Sequence, residues 1–183
     1  MNHPVIQELM DEHQGILRML RILESVCKRL DAGRGVPAAD PAAMVEFLQV
    51  FADRCHHAKE EGHLFPAMVA AGFPESAGPI PVMLADHDRG RAFVRGMADA
   101  LQGKDGPAAP AFRGSARGYI ELLRDHIRRE DEVLYPMAVA RVPAAALDGL
   151  VEAFEKVESE IVGEGRHAAY HRLLDELERA YAA

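Results

Sequence analysis

Apolar residues recur every three or four positions along most of the chain, the spacing that places side chains on one face of an α-helix. In the first such stretch that face also carries a histidine; its members are Ile6, Leu9, His13, Leu17, Leu20, Leu23 and Cys27. Four long stretches of this kind predict helices from after Pro4 to before Gly33, from Asp40 to about Ala71, from about Val82 to Leu101, and from about Pro110 to Arg141. Asp40 is expected to cap the second helix, with Pro41 at its first helical position.

Four long helices with short connections predict an all-α fold, an antiparallel up-and-down four-helix bundle over residues 1–141. No stretch alternates apolar and polar residues for long, and aromatic residues make up only 6% of the chain, so strands are not expected. Past Pro143 the apolar spacing stays helical until a glycine-rich break. Residues 142–183 are therefore predicted to form a C-terminal helical hairpin that packs on the bundle.

One pattern of residues occurs twice along the chain. Residues 56–66 read HHAKEEGHLFP, and residues 126–136, which lie 70 positions later, read HIRREDEVLYP. Both copies contain His, three residues, Glu, a further acid, and then Leu, an aromatic residue and Pro. Upstream of each copy lies one more histidine, His13 before the first and His87 before the second. The repeating unit is therefore a helical hairpin, with one histidine on its first helix and His-x-x-x-Glu on its second.

This spacing suits a metal centre inside the bundle. Residues four apart on a helix lie one turn apart on the same face, so His56 with Glu60 and His126 with Glu130 can each point at one place. Four imidazoles and two carboxylates would then meet in the interior, where an unpaired carboxylate is costly and a cation is the usual compensation. Six such ligands suit two metal ions bridged by carboxylate oxygens, and the lack of thiolates favours iron or manganese over structural zinc. A single His-x-x-x-Glu is usually a surface ion pair, but two copies in register favour metal binding.

Composition and charge exclude several other classes of function. The 183 residues are 49% hydrophobic, which is enough to bury a sizeable core. With 29 acids against 21 bases the formal net charge is -8, so neither nucleic acid nor an anionic membrane is expected as a partner. The start of the chain lacks the pattern of a signal peptide, and the two cysteines cannot form a disulfide framework, so a cytoplasmic location is expected.

The doubled motif, together with DHDRGR around His87, resembles the hemerythrin-like family, whose helical repeat is named for its His-His-Glu cation site. The resemblance covers roughly residues 3–140. It implies an up-and-down four-helix bundle around two non-haem iron ions with oxo or hydroxo and carboxylate bridges, with manganese or zinc as alternative metals. Members of the family carry oxygen, sense oxygen, nitric oxide or iron, or take part in iron and stress handling. Carried over onto the matching motifs, the resemblance implies these ligands, with the two glutamates as bridges: His13, His56, Glu60, His87, His126 and Glu130.

The chain departs from the oxygen-carrying branch of that family at two positions. Those proteins place a second histidine one turn after the third-helix ligand, where this chain has Arg91, and an aspartate in the last helix, where it has Glu130. Arg91 is expected to pair either with a ligand carboxylate or with a surface acid such as Asp88. An iron with fewer imidazoles would bind oxygen or nitric oxide differently or become oxidised, so the sequence does not support reversible oxygen carriage.

Three more residues are candidates for extra ligands or for hydrogen-bond partners of the ligands: His63, Tyr119 and His167. His63 is expected on the metal-facing side of the second helix, and Tyr119 on the same side as His126, with core packing as its alternative. His167 would reach the centre if the tail helix closed over one end of the bundle. His57 is turned by about 100° from its neighbour, so an exterior or interhelical position is expected for it.

Two functions follow from this site, and a third alternative gives the metal no functional part. The first is binding or sensing of oxygen, nitric oxide or the iron and redox state, with no separate catalytic residues. The second is a di-iron redox enzyme that oxidises iron or handles peroxide or nitric oxide, which requires an open iron position. The third is an interaction bundle that holds adventitious zinc. The expected partner is a small diatomic ligand or peroxide; the chain is expected to be a monomer or weak homo-oligomer, and its protein partner is left open.

Overall fold

The computed structural model describes residues 3–163 and 166–181. Throughout that part of the chain the regular structure is helical, with no strand, which confirms the predicted all-α class. The long helices are α1 (Pro4–Asp31), α2 (39–70), α3 (Pro79–Gln102) and α4 (110–141), and the shorter ones are α5 (Ala144–Asp148), α6 (Leu150–Val157) and α7 (Arg166–Tyr181). None of the described helices is both long and apolar enough to cross a bilayer.

The helix ends follow the predicted punctuation with two corrections. Gly33 takes a positive φ of 68° just past the end of α1, a conformation that favours glycine. Asp40 is not the N-cap of α2, which begins one residue earlier; the Asp40 carboxylate instead accepts a hydrogen bond from the Tyr181 hydroxyl at 2.5 Å. Helix α3 begins at Pro79 rather than at Val82, because proline fits the first turn of a helix, where its missing N–H has no partner to lose.

Parts of α2 and α4 are wound as π-helix. The π segments are Leu48–His57 and Glu60–Leu64 in α2, and Glu130–Leu134 in α4. The last two occupy the same place in the repeat, between the ligand glutamate and the aromatic residue. Each copy of the repeated motif therefore carries a widened turn directly after its glutamate.

The prolines of the repeat explain the two matching π turns. Pro66 and Pro136 lack an N–H, and a proline ring clashes with the carbonyl four residues back, so an ideal α-helical turn is disfavoured there. The N–H of the residue before each proline bonds instead to the glutamate carbonyl five residues back. Wider turns of this kind are frequent at functional sites.

The apolar core is divided into two clusters with a polar layer between them. On α1, Leu9 belongs to one cluster and Ile16 to the other, and the buried His13 lies between them. Helix α4 repeats the arrangement, since Ile127 and Leu134 belong to different clusters. Close packing above and below holds the polar layer in place and keeps its dielectric low.

The tail is helical, as predicted, and packs on the long helices. Leu174 of α7 is 1% exposed and belongs to the core cluster that includes Ile16 of α1. The Arg18 guanidinium of α1 pairs with Asp175 at 2.6 Å and with Glu178 at 2.7 Å. The division of the chain into two units at residue 141 stays a prediction.

Candidate metal centre

The six predicted ligands lie together in the polar layer. Each of these side chains is buried, with at most 1% of the residue exposed. All four long helices contribute: His13 from α1, His56 and Glu60 from α2, His87 from α3, and His126 and Glu130 from α4. The ligand-type atoms of these six residues form two groups, with Glu60, His87, His126 and Glu130 on one side and His13, His56 and Glu130 on the other. The structure therefore assembles two adjacent donor sets from the two copies of the repeat.

Glu130 joins the two donor sets through its two oxygens. Its Oε2 lies 3.3 Å from His13 Nε2, and its Oε1 lies 3.1 Å from His126 Nε2. Glu60 is placed in a related way, because its Oε2 lies 3.7 Å from His56 Nε2 and 3.4 Å from His87 Nε2. Both carboxylates thus lie between imidazoles of different hairpins, as bridging ligands would.

Two of the histidines are held by carboxylates of the opposite hairpin. His13 Nδ1 lies 2.7 Å from Asp131, and His87 Nδ1 lies 2.6 Å from Glu61. Both acids directly follow a ligand glutamate in the repeated motif. A carboxylate at Nδ1 fixes the ring orientation and leaves Nε2 for a metal, which is the usual arrangement around histidine ligands.

The other two histidines face a carboxylate of their own hairpin. His56 Nδ1 lies 2.8 Å from Glu12, and His126 Nδ1 lies 3.7 Å from Asp86. These acids directly precede the ligands of α1 and α3. All four imidazoles therefore present Nε2 to the centre and Nδ1 to a carboxylate.

A basic side chain neutralises each of these two acids. Lys59 Nζ donates to Glu12 at 2.6 Å and to Glu8 at 2.5 Å, and Arg129 donates to Asp86 at 2.6 Å. Lys59 and the arginine occupy the same position in the two copies, directly before the ligand glutamate. The Lys59 side chain is fully buried, so this amine is part of the interior.

Several ligand-type atoms at the centre have no hydrogen-bond partner in the part of the chain that the structure describes. Among the described residues, His56 Nε2, Glu60 Oε2 and both oxygens of Glu130 are buried without a hydrogen bond. Leaving such groups unsatisfied typically costs about 1–3 kcal/mol each, and more when they are charged. A bound cation would satisfy them together, and imidazole with carboxylate is a donor set that suits iron or manganese. The residues present therefore fit a metal centre of the expected kind.

Without a cation the cluster balances its charge with protons. Burial lowers the pKa of His13, but the hydrogen bond to Asp131 and the neighbouring Glu130 carboxylate outweigh it and raise the value to about 9. Burial likewise opposes the charge on His126, but the neighbouring Glu130 carboxylate raises its pKa to about 10. The protonated rings of His13 and His126 thus lie beside carboxylates, where positive charge is favoured, and a bound metal ion would replace their protons.

Tyr135 is a site residue that the sequence did not single out. Its hydroxyl donates to Glu60 Oε1 at 2.8 Å, and its ring stacks on His13 with centroids 5.5 Å apart. Burial and the nearby carboxylate charge of Glu60 raise the pKa of its phenol, so it stays a neutral donor. The available signal was the repeat itself, which places an aromatic residue five positions after each ligand glutamate.

His57 does not lie on the bundle exterior; of the two predicted positions it takes the interhelical one. It is 2% exposed, and its ring stacks on that of His87 with centroids 3.8 Å apart and planes 12° apart. It ends the first π segment of α2, where successive side chains are separated by less than the roughly 100° of an α-helix. The wider winding therefore turns this ring inward, and it groups with His87 and His126.

The three additional candidates differ in where they lie. His63 is not brought to the cluster; it lies within the π turn that precedes Pro66, and its ring faces Phe154 at 6.2 Å. Tyr119 is buried against the α3 backbone, with no hydrogen bond to a described residue, and burial raises the pKa of its phenol. His167 falls in α7, and its side chain lies outside the described residues. Arg91 pairs with Asp88, as one alternative expected.

An all-helical bundle with a buried cluster of four imidazoles and two carboxylates defines a metal-binding helical protein. The hemerythrin HHE cation-binding domain matches residues 5–138 of this chain. The chain belongs to that family, as its repeated motif predicted.

Two kinds of curated relatives are similar to the chain. One is an uncharacterized protein of Mycobacterium tuberculosis, 27% identical over 174 residues that cover 93% of this chain and 66% of the relative. The other is the iron-sulfur cluster repair protein YtfE of Escherichia coli, 27% identical over 143 residues that cover 74% of this chain and 64% of the relative. The matches thus span slightly less than two thirds of the relatives' own length. No solved structure matches the chain.

Proposed function

We propose that this chain is a non-haem di-iron protein that binds oxygen, nitric oxide or peroxide at its buried centre and senses that ligand or the redox state of the iron. The observation that carries this proposal is the position of Glu130, with one oxygen facing His13 and the other facing His126. A carboxylate placed between two imidazole pairs is what a bridged pair of metals requires.

The residues have separate parts in this function. His13 and His56 would hold one iron and His87 and His126 the other, with both glutamates between them. Iron bound there would supply reversible oxidation and a coordination position for a small ligand. The protein contributes the fixed ring orientations and the exclusion of bulk water by the two apolar clusters. It also contributes the hydrogen bond that the Tyr135 hydroxyl donates to Glu60 Oε1.

The first experiment measures iron per chain and the visible absorption spectrum, on protein reduced without air and then exposed to oxygen. About two irons per chain and an oxo-bridged diferric spectrum are expected. His56→Ala and His126→Ala should each lose roughly half of the bound iron or more, because each removes a ligand from one position. His63→Ala is the matched control, since His63 lies on the same helix but outside the cluster, and it should retain all of the iron. Zinc alone, or equal iron retention in all three variants, would contradict the proposal.

A redox enzyme is the second candidate. It is favoured by Arg91, which stands one turn after His87 where an oxygen carrier has a further imidazole, and which is engaged with Glu61 and Asp53 instead of a metal. One coordination position is then left for turnover chemistry, and the name of the YtfE relative, a repair protein, is compatible with such a role. Return of the reduced spectrum after cycling with oxygen supports binding or sensing, whereas steady consumption of oxygen or peroxide supports the enzyme.

A further inference from the structure

The two halves of the centre differ although the repeat makes them equivalent in outline. A shift of 70 positions relates Phe65 to Tyr135 and His57 to Ile127. On the His13 side, the aromatic residue is a tyrosine whose hydroxyl is hydrogen-bonded to Glu60. The other side has a phenylalanine without a hydroxyl and, in addition, the imidazole of His57.

The His87 side is also the side that a pocket approaches. A pocket of about 290 Å³ lies between α2 and α3, with Tyr119 of α4 in its wall. His57 lines it, and the other face of this ring stacks on His87. A single imidazole thus separates the pocket from the donor set that contains His126.

The polar groups of this pocket suit a small anion. Its lining carries Arg54, Arg91 and Arg95 against the single acid Asp53, and two of these arginines are exposed at the rim. Arg91 already neutralises Asp53, with its Nε 2.8 Å from the carboxylate. The rim therefore attracts negative charge, which raises the local concentration of anions and their association rate.

An unpartnered imidazole is buried where the pocket meets the centre. Neither ring nitrogen of His57 has a hydrogen bond to a described residue, although Asp53 Oδ1 lies 3.5 Å from Nδ1. The Tyr119 side chain lies in the wall of the same pocket. Groups buried in this way are costly unless a ligand or solvent molecule meets them, so the inner end of the pocket is built to receive a polar molecule.

A second pocket lies near the opposite side of the centre but has the wrong charge for an anion. It has a volume of about 490 Å³ and its lining includes Glu8, Asp11, Glu12 and Glu158. It reaches the centre through Glu12, which is hydrogen-bonded to His56 and Lys59, so no free ligand nitrogen faces it. An approaching anion would be repelled there.

We infer that the metal position of His87 and His126, and not that of His13 and His56, receives the exogenous ligand. The ligand class is a small anion or the anionic form of a small acid, which among the ligands of the proposed function selects peroxide over the uncharged oxygen and nitric oxide. It enters through the pocket rimmed by Arg54 and Arg95 and meets His57 at its inner end. This inference rests on the proposed function of the centre as a metal site.

The test follows azide association with the diferric protein by the change in visible absorption, after iron content has been recorded for each variant. Arg95→Glu reverses an exposed charge at the rim and should slow azide association by roughly tenfold at low salt. His57→Phe keeps the ring stack and removes both nitrogens, and it should weaken azide affinity severalfold. Asp11→Lys, which changes the charge of the acidic pocket by a similar amount, should leave the rate unchanged. An unchanged rate in Arg95→Glu, or a faster one in Asp11→Lys, would overturn the inference.

Failure of the metal proposal is distinguishable from failure of the entrance. If the chain holds no iron, the proposed function fails, and crystals of the metal-free protein soaked in bromide still test the anion pocket. Anomalous density beside His57 would support the pocket as an anion site. Bromide bound elsewhere and absent from the pocket would overturn it.

Discussion

At the scale of single residues, the centre is defined as much by the partners of the ligands as by the ligands. Each of the four imidazoles has a carboxylate at Nδ1, and two of those carboxylates come from the other hairpin. The gathering of the six predicted ligands was foreseeable because the spacing of His and Glu on one helix is local. The partner of His13 was not, because Asp131 lies 118 positions away and its pairing depends on how the hairpins dock. The acid after the ligand glutamate in each copy was nevertheless a usable signal.

A residue-scale prediction concerns the hydroxyl of Tyr135. Tyr135→Phe removes the hydrogen bond to Glu60 Oε1 and leaves a buried carboxylate oxygen without a donor, so the free energy of unfolding of the metal-free protein should fall by about 1–3 kcal/mol. Urea unfolding followed by circular dichroism measures the change. Tyr119→Phe is the matched control, because Tyr119 is also a buried residue and its hydroxyl bonds to no described residue, and it should cost less than about 0.5 kcal/mol. Equal costs for the two variants would show that the Tyr135 hydrogen bond contributes nothing.

At the scale of helices, the number and type of the long elements followed from apolar periodicity, and the local winding did not. Templates for periodicity assume 3.6 residues per turn, whereas ten residues of α2 from Leu48 to His57 are wound as π-helix. The sequence therefore left open the direction in which the His57 side chain points around the helix. It could point to the bundle exterior or inward to the ring of His87, where the structure places it. The turns before Pro66 and Pro136 were easier to anticipate, since the effect of proline on a helix is local.

An element-scale prediction concerns Lys59, which joins α2 to α1 and to the segment after α6. Its amine lies 2.6 Å from Glu12 and 3.8 Å from Glu158, and its side chain is fully buried. Lys59→Met would leave Glu12 as a buried carboxylate without its cation, so the free energy of unfolding should fall by about 3 kcal/mol. Thermal or urea unfolding of the metal-free protein checks this.

The control for that variant comes from the other copy of the repeat. Arg129→Met removes the equivalent base, but the Arg129 side chain is 29% exposed and Asp86 keeps Arg89 at 3.2 Å. Its cost should be about 1 kcal/mol, because a half-exposed ion pair contributes little. If the arginine variant loses as much stability as the lysine variant, burial of the amine is not what makes Lys59 important.

At the scale of the whole molecule, the tail contributes side chains to both apolar clusters. Its helical character followed from the spacing of Leu147, Leu150 and Phe154. Its docking partners did not, because a pair such as Arg18 with Glu178 spans 160 positions and no local rule fixes it. The same holds for the polar layer between the clusters. The sequence indicated which residues form it, but their degree of burial is known only from the structure.

The whole-molecule prediction tests how much the tail contributes to the fold. Leu174→Ala removes a side chain that is 1% exposed in the core cluster, so the free energy of unfolding should fall by about 2–4 kcal/mol. The neighbouring Leu173 is only partly buried, and Leu173→Ala should cost about 1 kcal/mol or less. Urea unfolding curves measure both values. A tail that unfolds separately would instead give Leu174→Ala an early, small transition and leave the main midpoint in place.

Each of the two hairpins carries three of the six predicted ligands. Two identical chains of half the length would supply a similar set in a symmetric dimer. Joining them in one chain makes their association intramolecular, so the centre can assemble at any protein concentration. The covalent connection also frees each half from being a copy of the other. Phe65 opposite Tyr135, and His57 opposite Ile127, are differences that an exact twofold dimer could not hold. The fusion of both hairpins in one chain thus allows the two sides of one buried centre to differ. The His87 side has the pocket lined by His57, and the His13 side has the Tyr135 hydroxyl.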